Sequence, residues 1–303
     1  MPQLPGRVTG VLLVTGACLC WSSGGLLVRL LDLDAFVIIF WRSLFMATAV
    51  ALALLVVHQR KAPAVIAAVR WPGVLSGVLL SGAFIGYVSS LTFTQVANTM
   101  ILMSASPLVA AVLARLILKE PLSRATVAAI IVAMVGIAIM FSHGISAGSL
   151  LGDSFALLVA FTFGANIVVL RRWRGIDMVP ATMLGGLISA AVTAPWAIGT
   201  PVTSTDLVIL AALGCFQLGL GLFLFVRGSR KLHAAELGMI TLLETVLAPI
   251  WVWIAISEIP SAAALFGGGV VLAAVIGLTL SERIRRLPTD AVTKNESFAV
   301  PAP

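Results

Sequence analysis

The chain has 303 residues, of which 60% are hydrophobic and only 10% charged, with a net charge of +7 and a mean hydropathy of +1.12. A soluble domain of this length runs nearer half apolar and a quarter charged, so the composition excludes a water-soluble enzyme or binding module. The basic residues sit in short clusters between apolar runs, not on one polar face, which argues against nucleic acid as a partner.

The apolar runs recur at bilayer length: a ~30 Å hydrocarbon core takes roughly 20 apolar residues as a helix. A barrel would need short alternating strands, and the sequence has none. In chain order the runs predict ten transmembrane helices, at about 9–30, 34–57, 72–94, 97–118, 123–142, 149–170, 178–199, 206–226, 234–256 and 262–281. The first run follows Arg7 as a signal peptide would. Thr15-Gly16-Ala17-Cys18 is a poor lipoprotein cleavage box, however, and nine runs follow, so it reads as an uncleaved first span. The connections carry turn chemistry, as in Asp32-Leu33-Asp34, Lys119-Glu120-Pro121 and Ile259-Pro260-Ser261. Cys18, Cys20 and Cys215 fall inside apolar runs and read as buried single thiols, neither disulfides nor metal ligands.

Lys and Arg set the expected orientation. With the N-terminus inside, 17 of the 19 basic residues fall on the cytoplasmic side. The exceptions are Arg29, near the outer end of span one, and Arg42, inside span two. Residues 1–8 are then a cytoplasmic N-terminus and 287–303 a polar cytoplasmic tail expected to be disordered.

A shift of 138 residues begins to superpose the two halves. Tyr87-Val88 falls on Phe225-Val226, Ala97 on Ala235, Glu120 on Glu258 and Ser123 on Ser261. With a two-residue adjustment, Trp21-Ser22-Ser23-Gly24 falls on Phe161-Thr162-Phe163-Gly164. Five spans per half is an odd number, so the repeats, 9–142 and 149–282, must be inverted relative to each other. The charges agree, because Arg227, Arg230 and Lys231 lie where the first half has Ser89, Thr92 and Phe93. The expected fold is therefore an all-α integral membrane protein of two inverted five-helix repeats with both termini cytoplasmic. Solute sites in such folds lie near the midplane between halves.

Three stretches carry a family resemblance. They are Phe40-Trp41-Arg42, Ser106-Pro107 running to Lys119-Glu120, and Leu243-Glu244-Thr245-Val246-Leu247-Ala248-Pro249 running to Ser257-Glu258. In these the chain resembles the drug/metabolite transporter superfamily, in its ten-helix group with two EamA domains, over about residues 10–282. The resemblance implies alternating access through a central cavity lined by spans one, three, four, six, eight and nine. It also implies a small metabolite as substrate, an amino acid or related compound.

Arg42 lies roughly nine residues from the outer end of its span, about 13 Å deep at 1.5 Å per residue. An unpaired charge there costs several kcal/mol, so it needs a wet cavity, a partner or an anionic solute. Both a substrate counter-charge and a structural tie fit it. Glu244 is the one acid well inside a span, and it reads either as a proton-coupling carboxyl or as a structural partner. Pro107 and Pro249 are helix-kink candidates that free backbone carbonyls near mid-membrane. Ser22, Ser23, Tyr87, Ser90, Ser104, Asn166 and Gln217 are the remaining polar cavity candidates, with Trp21, Phe161 and Phe163 as aromatic walls. Each polar group taken singly also fits a helix-packing role. Glu120 and Glu258 each precede a serine that begins a helix, which predicts N-terminal capping.

There is no Gly-Lys-Ser/Thr phosphate loop, so a secondary carrier in the cell's cytoplasmic (inner) membrane is the leading expectation. A channel, sensor or scaffold is the alternative, though no repeated filter loop is present. A membrane enzyme is disfavoured, since His58, His143 and His233 all lie at or near loops. No cofactor or metal is expected. The expected partners are a small solute and the lipid bilayer, with a homodimer left open.

Overall fold

The computed structural model describes residues 6–119, 124–142, 147–173, 175–229, 231, 234–259 and 262–285. The C-terminal tail, Glu120, Ser123, His143, His233 and Ser261 lie outside them. Every regular element among the described residues is a helix. In order they are α1 (Gly6–Ser22), α2 (Gly24–Arg29), α3 (Ala35–His58), a 3-10 turn (Gln59–Lys61), α4 (Ala62–Ala68), α5 (Arg70–Phe93), α6 (Val96–Met103) and α7 (Ser106–Ile117). The second half has α8 (Arg124–Ser142), α9 (Ala147–Arg172), α10 (Val179–Ala197), α11 (Ser204–Ala211), a π-helical segment (Ala212–Leu220), α12 (Gly221–Ser229), α13 (Ala234–Ile256) and α14 (Ala262–Arg285).

Seven stretches are long and apolar enough to cross a membrane: Val8–Arg29, Ala35–Ala68, Arg70–Phe93, Val96–Ile117, Leu150–Arg172, Val179–Ala197 and Ser204–Phe225. Three shorter apolar helices, Val127–Gly136, Leu243–Ile256 and Leu265–Ala274, complete the described set. Apolar side chains face outward in a way no water-soluble protein tolerates. Val56 is 77% exposed, Ile254 70% and Phe266 68%. The chain is a multi-pass membrane protein.

Helix packing interchanges when the halves are exchanged. α5 lies along α9, and the counterpart span of α5, the π segment with α12, lies along α1. α7 packs on α9 as α13 packs on α1, while α3 pairs with α10 and α8 with α14 across the halves. The backbone carries the same echo. Lys119 (φ 57°) and Ser257 (φ 58°), 138 residues apart, both turn left-handed where α7 and α13 end. Gln59 (φ 47°) and Gly199 (φ 91°), 140 apart, do so after α3 and α10. The last spans of each half meet at small residues: a Cβ added at Gly136 would lie 2.7 Å from the Gly267 carbonyl.

Three local features depart from the ten regular spans expected. Span one breaks at Ser23 between α1 and α2, and span four at Ser104–Ala105 between α6 and α7. Pro107 sits in the first turn of α7, where a missing N–H costs nothing. Pro249 lies inside an unbroken α13. Span eight widens into the π segment, which sets Gly214 so close to α3 that an added Cβ would lie 2.9 Å from the Met46 nitrogen. Cys215 on this segment is exposed, contrary to the burial expected of it, because the widened turn directs it outward. Cys18 and Cys20 are buried.

The α3–α10 pairing is tight at Gly186, where a Cβ would lie 2.9 Å from the Ser43 oxygen and 3.1 Å from the Ala47 Cβ. Gly186→Val should cost about 1–3 kcal/mol by overpacking, read as a lower midpoint of thermal unfolding in detergent. A variant as stable as the parent would mean that this interface yields freely.

Candidate functional site

Arg42 is the organising residue. Its position on α3, seven residues past the helix start at Ala35, places it inside the bundle, where it is 2% exposed. Nη2 donates one long hydrogen bond, 3.4 Å, to Oε1 of Gln217 on the π segment. The guanidinium carbon stands 5.2 Å from the ring centre of Tyr87 on α5. Nε and Nη1 are buried without a hydrogen-bond partner, and so is the Tyr87 hydroxyl. Among the described residues Arg42 has no ion pair.

Those contacts do not balance the cost of enclosure. A desolvated cation–π contact contributes about 2 kcal/mol, and a long bond to a neutral amide contributes little more. Enclosing a guanidinium away from water costs several kcal/mol even after relaxation. Desolvation therefore wins, and the site is short of one negative charge.

The neighbours are held by backbone proximity. Gln217 Nε2 reaches the Trp21 carbonyl at 3.4 Å, tying the π segment to α1. Gly24 follows the break in span one, and a Cβ there would come within 2.6 Å of the Tyr87 hydroxyl and 2.8 Å of Gln217 Nε2. A glycine at that break is what lets three spans meet around Arg42. Trp21 is buried against Phe225, with ring centres 5.1 Å apart, and its indole N–H has no partner.

Glu244 approaches from α13. One turn before it the Ile240 carbonyl accepts from Cys18 Sγ at 3.4 Å, and seven residues after it Trp251 Nε1 donates to Ser22 Oγ at 3.1 Å. Positions 240, 244 and 251 share one helical face, so Glu244 faces α1 at the level of Trp21. Its carboxylate is half-buried, makes no hydrogen bond or ion pair among the described residues, and lies within electrostatic range of Tyr87 and Cys18. Tyr87 thus lies against a cation without a charged partner and within electrostatic range of a carboxylate.

The other polar candidates lie elsewhere. Ser76 Oγ donates to Asn166 Oδ1 at 2.6 Å, locking α5 to α9. That contact is 11 residues along α5 from Tyr87, about 16 Å at ~1.5 Å per residue. Ser90 pairs with Thr99 at 2.7 Å, Ser104 donates to the Ile101 carbonyl and Ser23 to that of Cys20. Phe163 packs into the core, whereas Phe161 is 52% exposed and walls no cavity. Sequence reasoning missed Gly24 and Trp251. Gly24, directly after Ser22-Ser23 inside an apolar run, was the available signal.

Glu258 also departs from expectation. Its carboxylate caps α6, accepting the Val96 N–H at 2.9 Å, and its other oxygen lies 3.0 Å from Arg29 Nε. A turn of one half thus caps a helix of the other.

Comparison with known proteins agrees with this architecture. The model of the EamA-like transporter family matches twice, at residues 8–142 and 150–280. The chain belongs to that family. It is a drug/metabolite transporter superfamily protein with two EamA domains, and the family is one of transporters. Among solved structures, one crystal structure covers 92% of this chain and 99% of its own, with a TM-score of 0.65 at 20% identity, and so shares its fold. A search of curated proteins gives no match.

An enclosed charge without a counter-charge is a stability liability. Arg42→Met should therefore leave the thermal midpoint unchanged or raise it, by up to about 1–4 kcal/mol of stability. A marked fall would make Arg42 a structural tie.

Proposed function

We propose that this EamA-like protein is a secondary active transporter for a small zwitterionic metabolite, an amino acid or related compound. The observation that carries the reading is a pair of opposite charges without ion-pair partners among the described residues, Arg42 against the Tyr87 ring and Glu244 within electrostatic range of it. A carboxylate would accept from the unpartnered N–H groups of Arg42, a charge-assisted bond that the long contact to Gln217 does not supply. The solute's ammonium would lie toward Glu244, and Trp21 with Tyr87 would wall the rest. A neutral solute would leave the guanidinium as uncompensated as it is now.

In this reading ten spans cross the cytoplasmic membrane as two inverted five-helix repeats with both termini inside, and access to the site alternates between faces. The matched left-handed residues at both repeat positions support the repeat, and the interchange of packing partners supports it independently. The basic helix ends at Arg70, Arg171, Arg172 and Arg227 support the orientation. Interrupted helices, at Ser23 just before the site's Gly24 and at Ser104–Ala105, fit carriers whose sites are built from discontinuous spans. With no phosphate-binding loop, an ion or solute gradient drives the cycle.

The test is efflux from proteoliposomes loaded with amino acids, nucleosides, vitamins and cationic drugs, followed by mass spectrometry with and without a proton gradient. Zwitterionic solutes should leave selectively. Arg42→Ala should slow them about 30-fold or more, the cost of unpairing a buried charged hydrogen bond. Glu244→Gln should spare carboxylates that lack an ammonium. Undiminished efflux through folded Arg42→Ala would remove Arg42 from the site, and no efflux of any solute would count against the carrier.

A further inference from the structure

One end of the bundle is closed by a polar network that none of the site chemistry uses. Here α2, α5 and α13 end and α6 and α9 begin. Arg29, the last residue of α2, sends Nη2 to the Thr94 carbonyl at 2.8 Å, while its Nε lies 3.0 Å from Glu258 Oε2. Glu258 holds the start of α6 through the Val96 N–H at 2.9 Å, and Gln95 Nε2 reaches the Ile259 carbonyl at 3.2 Å. Beside them Thr94 Oγ1 donates to Asp153 Oδ1 at 2.9 Å, joining the turn before α6 to α9. Segments from both halves, 55 to 229 residues apart in sequence, are thereby drawn together.

Directly beneath the network the packing is dry. Val28, Leu91, Val96 and Val252 belong to one buried cluster, and Gly25 lets α2 approach so closely that an added Cβ would lie 2.7 Å from a Val96 methyl. Tyr87 is in the same cluster. Any solute passing between Arg42 and this end must therefore part these side chains.

We propose that the Arg29–Glu258 pair is the latch of a gate that seals the site from the membrane face opposite the basic helix ends, and that it breaks and re-forms in each transport cycle. The inference rests on the carrier reading. The physical argument is the exposure of the pair. Its side chains are 25% and 20% exposed, unlike the enclosed Arg42. Breaking a fully buried pair strands two charges, but these two regain water as they separate, so opening is inexpensive. Closing aligns three partners at once, since Glu258 also caps α6 and Arg29 also holds the Thr94 carbonyl. Ser257, left-handed at φ 58°, turns the chain out of α13 immediately before Glu258. A half-solvated ionic latch also responds to salt, because mobile ions screen it.

Accessibility tests this without a known solute. Cys18, Cys20 and Cys215 are replaced by alanine, and Val252→Cys, 1% exposed behind the latch, is the reporter. A membrane-impermeant maleimide is applied to one face of proteoliposomes at a time. From the latch face, Arg29→Gln and Glu258→Gln should each raise the labelling rate at least about tenfold, with Arg29→Lys in between. In the unsubstituted latch the rate should rise with ionic strength, and in the Arg29→Gln/Glu258→Gln double variant it should not. Unchanged labelling in both single variants, or a rate indifferent to salt in the intact latch, overturns the proposal. Equal acceleration from both faces with a lowered thermal midpoint also overturns it, since the pair would then be general structural support. If the latch behaves as stated while no solute moves in the efflux assay, the gate stands and the carrier reading falls.

Discussion

A guanidinium held in an apolar bundle, with two of its nitrogens unpartnered, is the constraint around which the rest of the structure is arranged. Coulomb energy grows as water is withdrawn, so the same enclosure that makes Arg42 costly would make an arriving carboxylate bind strongly. The local architecture serves that enclosure. The π segment brings Gln217 across to α3, and Gly214 removes the Cβ that would hold it off. The break at Ser23 and the bare Gly24 let α1 and α2 approach Tyr87. Each is a departure from regular helix, the kind of local cost that a fold accepts where binding needs a surface already shaped.

The two ends of the charge spectrum in this protein obey different physics. Arg42 is sealed and short of a charged partner, whereas Arg29 is 25% exposed and has two partners, Glu258 and the Thr94 carbonyl. A sealed charge is suited to discriminating among solutes, because only a long bond to a neutral amide competes for it. A half-solvated pair is suited to switching, because its two states differ little in free energy. A carrier needs both, and a permanently open pore would have no use for an ionic closure over a dry apolar layer.

Much of the fold was legible in the sequence, because bilayer-length apolar runs and a 138-residue echo are composition-scale signals. The echo even located residues whose backbone is unusual: Lys119 and Ser257 differ in chemistry yet share a left-handed turn. What sequence could not show was partnership over long separations. Arg29 stood out as one of two basic residues on the wrong side, but its acid lies 229 positions away. Glu258 carries the cap chemistry expected of it, yet it caps a helix of the other half because the turn after α13 folds over α6. The π segment left no mark either, since no residue in Ala212–Leu220 forbids a regular helix. Asn166 and Ser90 had the polarity of cavity residues and turn out to bond across packed helices, a distinction set by which face meets a neighbour.

The repeat is not chemically symmetric, and this has a consequence for the cycle. Exchanging halves carries the left-handed turn and the following glutamate of one half onto those of the other, but it carries Arg29 onto the apolar stretch at Ile167–Val169. The opposite end therefore cannot close with the same ionic latch. It gathers Arg70, Arg115, Arg171, Arg172 and Arg227 at its helix ends, a basic rim in place of a single ion pair. Two equal gates would leave the conformational balance to the solute alone. If the Arg29–Glu258 pair is the latch proposed above, the empty protein is biased toward the arrangement closed at that end. An anionic group reaching the site from the basic side would meet a favourable field throughout its approach, with Arg42 at the end of it.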